Sequence, residues 1–280
     1  MDGTPLGDIG FVHAITEDVD GNIWAIAALN PQRTLLRIRD ERVQEQVPLG
    51  PTRGGVGYLA ADRNAGIWIG DLSDKLVHYH NKSRETVSLA NGDQSFSTRS
   101  LAVAPDGALW VTTSKGMYRW KDGSLTLLNS RNGLPCSNFA SAIADNYGSL
   151  WLNTSCGILK FPAADFANWL RQTDSKVSAK VFDQLDGAQA SGNVFQPNSA
   201  KSPDGKLWFI GSAFAQMIDP SRSYTQMTPP PVHIEEIIAD KTSYSSQGDV
   251  RLSPGPHDIE IRYTALNFAL PQRVRFRYML

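Results

Sequence analysis

Two histidines in this chain have the spacing of metal ligands. His78 and His80 alternate along a segment that we predict to be a strand, so their side chains face the same side of it. No third ligand follows at a recognisable spacing, and a solvated histidine pair on an outer strand is the favoured alternative. We therefore expect no metal site, no other cofactor and no catalytic residue.

Other candidate acids and bases have structural explanations. Asp18, Asp106 and Asp204 stand beside turn glycines, where a short carboxylate caps a hairpin. His13 lies on a predicted inner strand, where it either points toward a central channel or is a satisfied core histidine. The sequence has no nucleophile elbow, phosphate loop or dinucleotide-binding glycine motif. The sequence therefore assigns no ligand-binding residue.

The two cysteines flank a predicted hairpin. Its turn lies near Asn146, and a simple pairing register brings Cys136 opposite Cys156 to within one residue. Facing residues in antiparallel strands lie about 4.5–5.5 Å apart at Cα, within the range that a disulfide accepts. The spacing predicts a disulfide formed in an oxidising compartment, with two buried free thiols as the alternative.

A tryptophan repeat organises the first four fifths of the chain. Five segments place a turn glycine just before Ile or Leu and then Trp, and the steps between these tryptophans are 44, 42, 41 and 57 residues. A four-stranded propeller blade takes roughly 40–50 residues. The five tryptophans are Trp24, Trp68, Trp110, Trp151 and Trp208.

The strands around each tryptophan predict an all-β propeller rather than a two-sheet sandwich. A strand precedes each motif, and a third and a fourth strand follow, such as Lys75–His80 and Ser124–Leu128. A large aromatic at one place in every blade is expected to be a structural wedge between neighbouring blades rather than a ligand-stacking ring. Five motifs give either a small ring or a larger ring whose amino-terminal blades are missing, and we favour missing blades.

The chain divides into two predicted domains. Residues 1–228 hold the propeller repeats, and the long fourth step contains a predicted surface helix near 162–171. Pro229, Pro230 and Pro231 form a stiff linker that cannot continue a sheet. Residues 229–280 then show period-two alternation typical of a sandwich-like β-domain that stops in mid-strand.

Charge and hydropathy exclude some partners. The 27 Lys and Arg residues balance 28 Asp and Glu residues, and neither sign forms a run, so we expect no nucleic-acid partner. No apolar stretch is long enough to cross a membrane, and the amino terminus lacks the pattern of a signal peptide. We expect contact with a membrane only through parts that this chain does not contain.

Two motifs resemble a known family. The run Asn132-Gly133-Leu134-Pro135, with the Leu150-Trp151 and Cys156-Gly157-Ile158 that follow it, resembles the regulator-propeller repeat of bacterial two-component sensors. The tail from Pro230 through Tyr263 to Tyr278 resembles the triple-tyrosine, immunoglobulin-like domain that follows such propellers. The resemblance covers nearly the whole chain, but the amino-terminal blades and the end of the tyrosine domain are absent.

The resemblance implies the periplasmic sensor region of a hybrid histidine kinase. Such a region binds a small-molecule or carbohydrate ligand and passes the signal toward the inner membrane, and the full-length sensor is compatible with a homodimer. The chain itself is then not an enzyme. Two alternatives remain: a propeller lyase similar to the streptogramin lyases, whose repeats also read Pro-Asp-Gly-x-Leu-Trp, and a protein-interaction scaffold.

Overall fold

The structure is a computed structural model. It describes residues 3–29, 32–50, 57–70, 75–89, 98–189, 196–211, 213–222, 230–245, 248, 250–252, 254–266, 274 and 276–278. The chain forms two compact units, Met1–Arg222 and Ser223–Leu280. The boundary predicted between residues 228 and 229 lies outside the described residues. Each unit is described by itself below.

The first unit is a β-propeller of consecutive antiparallel sheets, which confirms the predicted all-β fold class. In each sheet the strands pair in chain order from the inside outward, apart from a short edge strand in the first. The first sheet contains β1 (Thr4–Pro5), which pairs with the outermost strand, then β2 (Phe11–Glu17), β3 (Ile23–Leu29), β4 (Gln32–Arg39) and β5 (Arg42–Gly50). The second contains β6 (Tyr58–Ala61), β7 (Ile67–Gly70), β8 (Lys75–His80) and β9 (Ser83–Ser88).

The remaining three sheets follow the same order. The third contains β10 (Thr98–Val103), β11 (Leu109–Thr113), β12 (Gly116–Lys121) and β13 (Ser124–Leu128). The fourth contains β14 (Phe139–Ala144), β15 (Leu150–Thr154), β16 (Gly157–Phe161) and β17 (Lys180–Phe182), with helix α1 (Ala163–Arg171) inserted before β17. The fifth contains β18 (Ser199–Lys201), β19 (Leu207–Ile210) and β20 (Ala215–Ile218).

The tight turn before each tryptophan strand needs a residue with positive φ. Gly21, Gly107, Gly148 and Gly205 fill this place in four repeats, with φ between 78° and 84°. In the second repeat Ala65 takes the place, with φ 57°, because the glycine stands one residue later. Alanine tolerates this left-handed conformation poorly, so the second repeat carries local backbone strain.

The core lies between neighbouring sheets. Every repeat tryptophan is the second residue of the second strand of its sheet. Trp24 packs in one buried cluster with Tyr79 of the next repeat, and Trp151 packs with Phe209 of the fifth. Trp68 packs with Tyr118 of the third repeat and Trp110 with Leu152 of the fourth, so the first four tryptophans are wedges between neighbouring blades. Trp208 is not, because it is 39% exposed on the last sheet.

Helix α1 closes the core between the third and fourth repeats. Its Phe166 packs edge to face on Trp110 at 5.8 Å, and its Trp169 is fully buried. The helix lies where the sequence predicts a surface helix, but two of its side chains are part of the core. Its apolar side replaces solvent over the third tryptophan.

The described part of the second unit is one antiparallel sheet. Its strands are β21 (Val232–Ala239), β22 (Thr242–Tyr244) and β23 (Ile259–Ala265), in the order β22-β21-β23. The sequence also predicts a strand over residues 273–278. That segment lies partly outside the described residues, and its described positions form no strand.

Candidate functional site

The first strands of the five sheets surround a channel. β2, β6, β10, β14 and β18 contact one another in succession around it. At the ends of these strands lies a cavity of about 570 Å³, to which all five repeats contribute lining residues. A second cavity of about 440 Å³ adjoins it deeper along the channel and shares several of the same walls. We call the first space the mouth cavity.

The opposite end of the channel is tied together by the segment before β18. The Gln196 backbone N–H donates to the His13 carbonyl at 3.2 Å, and the Gln196 amide donates to the Arg99 carbonyl at 3.0 Å. The Asn198 amide donates to the Ala140 carbonyl at 3.1 Å. His13, Arg99 and Ala140 all lie at irregularities of their strand registers, where a bulge leaves polar groups outside the ladder. One segment thus joins the first, third and fourth repeats.

A buried carboxylate organises the mouth in the first repeat. Asp18 accepts hydrogen bonds from Trp24 Nε1 at 2.7 Å and from the Asn22 side chain at 2.8 Å. It also accepts from the backbone of Asp20 and Asn22. Burial raises the pKa of Asp18, but these hydrogen bonds outweigh it, so the pKa lies below its ordinary value.

The same position serves the same purpose in the fourth and fifth repeats. Asp145 accepts from Trp151 Nε1 at 2.9 Å, and Ser202 accepts from Trp208 Nε1 at 3.3 Å. In each case the accepting residue stands six positions before the tryptophan. We call this position the indole acceptor. It is occupied by Asp18, Asp62, Ala104, Asp145 and Ser202.

The second repeat uses its indole acceptor differently. Asp62 binds His78 Nε2 at 2.6 Å, and the His78 ring stacks on Trp68 with 4.3 Å between centroids. Burial raises the pKa of Asp62, whereas hydrogen bonds from Gly66, His78 and Asn64 lower it further than burial raises it. The pKa of Asp62 therefore lies below its ordinary value, and the pair is an ionic contact whenever His78 is protonated.

The third repeat has no acceptor at this position. Ala104 stands where other repeats have Asp or Ser, and Trp110 Nε1 is buried without a hydrogen-bond partner. Both residues line the mouth cavity. A buried N–H without an acceptor costs free energy, so the third repeat lacks a hydrogen bond that stabilises the first and fourth repeats.

The histidines singled out from the sequence do not come together as a metal site. The rings of His78 and His80 are parallel, with centroids 6.1 Å apart. The His13 and Phe11 ring centroids are 5.1 Å apart. Burial is the larger cause, and the charge of Arg33 the smaller, of a lowered pKa for His13. Within the described residues no group of three or more His, Cys, Asp or Glu side chains is arranged to hold a metal ion.

Cys136 and Cys156 are joined by a disulfide, with 6.2 Å between their Cα atoms. The last pair of the ladder, Phe139 with Thr154, fits the expected register to within one residue. The ladder of β14 and β15 ends at this pair, so both cysteines lie beyond it. The bridge thus joins a loop to a turn rather than two facing strand residues.

Sequence reasoning missed the indole acceptors and the cations beside the tryptophans. Arg37 lies over the Trp24 ring, and Lys160 lies over the Trp151 ring with 5.0 Å to its centroid. Each faces its tryptophan across the hairpin. An alignment of the repeats on their tryptophans contains the first signal, since the acceptors stand six residues before the tryptophan, but not the second, since the two cations follow at different distances along the chain.

Several solved structures have a similar fold. The extracellular domain of BT3049 from B. thetaiotaomicron, described as a hybrid two component system, matches with a TM-score of 0.68 at 15% identity, over 93% of this chain and 36% of that chain. Virginiamycin B lyase from Staphylococcus aureus matches with a TM-score of 0.52 at 18% identity, over 78% of this chain and 72% of that chain. An inactive variant of that lyase with quinupristin gives 0.50 at 15% identity, over 79% and 74%.

These matches establish the fold and no more. No protein-family model and no curated protein matches the sequence. No helix in the described ranges has the length and apolar character to cross a bilayer. The chain spans 36% of the BT3049 domain that it matches. It is a β-propeller unit followed by a β-sheet unit, with a fold similar to that extracellular domain.

Proposed function

We propose that this chain is the ligand-sensing input region of a two-component sensor kinase. The propeller binds a small molecule or a carbohydrate fragment in the periplasm, and the second unit passes the change toward the inner membrane. The chain has no catalytic turnover of its own. The parts that cross the membrane and phosphorylate belong to the full-length sensor.

One observation carries this proposal. The match to the extracellular domain of BT3049 leaves out only 7% of this chain, a smaller share than the second unit occupies, so it includes part of that unit. The propeller and the following sheet therefore occur together in an ectodomain of this kind. The matches to the lyase leave out about a fifth of the chain.

The relay is tested in a chimera that joins this chain to the membrane-spanning and kinase parts of a hybrid sensor. Pro229, Pro230 and Pro231 are replaced by Gly-Ser-Gly, which removes the stiffness of the linker. We expect ligand-dependent autophosphorylation to fall while ligand binding by the isolated chain is unchanged. Phosphorylation that survives the replacement unchanged would contradict rigid transmission through the linker.

A propeller lyase is the second candidate, and it is supported by the shared fold of virginiamycin B lyase. It predicts that the isolated chain converts a streptogramin to a product. The sensor proposal predicts binding without conversion. Liquid chromatography with tandem mass spectrometry of quinupristin incubated with the chain separates the two, because a new product peak would favour the lyase.

A further inference from the structure

Ser141 Oγ and Asn198 Oδ1 are buried polar atoms where the fourth and fifth repeats meet. Ser141 is fully buried, and Asn198 is 1% exposed. Within the described part of the chain, neither oxygen has a hydrogen-bond partner. A buried oxygen that makes no hydrogen bond costs free energy, because water satisfies it in the unfolded chain. Each of these two oxygens therefore needs a partner that the surrounding side chains do not supply.

Both atoms belong to residues that meet at the Ala140 carbonyl. Asn198 Nδ2 donates to this carbonyl at 3.1 Å, and Oδ1 belongs to the same amide group. Ser141 follows Ala140 in the chain, and side chains two residues apart on a strand face the same side. Ile143 packs against the buried cluster between the fourth and fifth repeats. The Ser141 hydroxyl therefore faces the repeat that supplies Asn198.

The side chains at this level of the propeller are smaller in the fourth repeat than in the first two. In each repeat one cross-strand pair, ten residues before and two after the tryptophan, faces the next repeat. The pairs are Ala14 with Ile26, Tyr58 with Gly70, Ser100 with Thr112, and Ser141 with Asn153. Ile26 fills its interface so closely that a Cβ on Gly57 of the next repeat would lie 2.4 Å from it. Tyr58 is likewise part of a buried cluster. The fourth pair has no such large side chain.

We infer that a buried water molecule binds between the fourth and fifth repeats. The water donates a hydrogen bond to Asn198 Oδ1 and accepts one from the Ser141 hydroxyl. Asn153, which faces Ser141 across the hairpin, is a third polar side chain at the same place. Buried waters typically make about three hydrogen bonds to polar groups. The water thus extends the contact that Asn198 makes with Ala140, and it is independent of what the mouth cavity binds.

A crystal structure of the chain, at a resolution that shows ordered solvent, is the first test. We expect electron density for one water within hydrogen-bond distance, about 2.5–3.0 Å, of both Ser141 Oγ and Asn198 Oδ1. A map that shows no water at this place would overturn the inference. A direct hydrogen bond between the two side chains would overturn it as well, because the two oxygens would then satisfy each other's needs without solvent.

Ser141→Ala combined with Asn153→Ile rebuilds the pair of the first repeat in the fourth. The isoleucine takes the place of the water, so we expect ¹⁷O magnetic relaxation dispersion to count one long-lived water fewer per molecule than in the wild type. Ser100→Ala, at the equivalent position of the third repeat, is the matched control and should leave the count unchanged. An unchanged count in the double variant, or an equal loss in the control, would contradict the site. If the double variant does not fold, the wild-type crystal structure decides.

Discussion

Asp18 illustrates how one side chain stabilises a blade through several donors. It is nearly fully buried and accepts from Trp24, Asn22 and the turn backbone. Asp18→Asn replaces an acceptor oxygen with a donor that faces other donors, so we expect unfolding at pH 7 to become easier by about 1–3 kcal/mol. Urea denaturation measures the change, and Asp20→Asn, at an exposed neighbouring position, is the control.

The pH dependence of this effect follows from the direction of the pKa shift. The pKa of Asp18 is lower in the folded protein than its ordinary value of 3.8. Its contribution to stability is therefore complete above that value and is lost as the pH falls through the folded pKa. The difference between the wild type and Asp18→Asn should shrink in acid. A difference of the same size at pH 7 and at pH 3 would contradict this account.

Ala65 is a site where a smaller residue should stabilise the protein. Its φ of 57° is in the left-handed region, where an alanine costs roughly 1–2 kcal/mol relative to glycine. We expect Ala65→Gly to raise the free energy of unfolding by about 1 kcal/mol. The mirror substitution, Gly107→Ala, is expected to lower it, because Gly107 has φ 80° at the equivalent place. Loss of stability in Ala65→Gly would contradict the turn geometry.

At the scale of elements, the repeat tryptophans stabilise the packing between neighbouring blades. Trp151 is fully buried, whereas Trp208 occupies the same strand position and is 39% exposed. We expect Trp151→Ala to cost about 3–5 kcal/mol and Trp208→Ala to cost clearly less. Denaturant unfolding of both variants measures this. Equal losses would mean that a further structural element covers Trp208 in solution.

The disulfide stabilises the loop that leads into the fourth blade. It closes a loop between residues 20 positions apart, and such a crosslink stabilises a protein by roughly 3 kcal/mol. We expect Cys136→Ser with Cys156→Ser to lower the free energy of unfolding by about that amount. Thiol titration of the unfolded, unreduced wild type should find no free thiol. Two free thiols would contradict the bridge.

The blade frame could be predicted because each tryptophan repeats a local signal. A turn, a strand and a large aromatic recur within a few residues of one another. Such a local pattern can be recognised in the sequence even when the rest of the fold is unknown. The register near Cys136 was predicted to within one residue, but the sequence did not indicate that the ladder ends at Phe139 and Thr154, before the cysteines. The sequence also predicted Trp208 to be a wedge between blades, whereas it is exposed. Its exposure depends on what lies beside the last blade, which the repeat pattern does not show.

The site was less predictable than the fold. Ala104 carries no chemistry by itself, and its meaning comes from a missing hydrogen bond to Trp110. The contacts of Gln196 with the first and third repeats join residues far apart in sequence, so no local sequence pattern predicts them. Such features become visible only when the repeats are compared in space.

At the scale of the whole molecule, the number of blades stays a prediction. Gln196 joins the first repeat to the segment before the fifth sheet, while the fifth sheet exposes Trp208, Ile210 and Met217. In the other repeats the corresponding face is covered by the next blade. We expect a longer version of the protein with additional repeats to bury this face. Protection of the Trp208 indole from fluorescence quenching by acrylamide measures that burial, and unchanged quenching would contradict missing blades.

The central claim is that ligand binding by this chain controls a kinase. The most direct measurement compares two curves over the same concentrations, namely the unfolding temperature of the isolated chain and the autophosphorylation of the chimera reconstituted in vesicles. Carbohydrate fragments and other small molecules are the compounds tested. We predict that a compound that raises the unfolding temperature also changes phosphorylation with the same midpoint. Compounds that bind the chain and leave phosphorylation unchanged at saturation would contradict the claim.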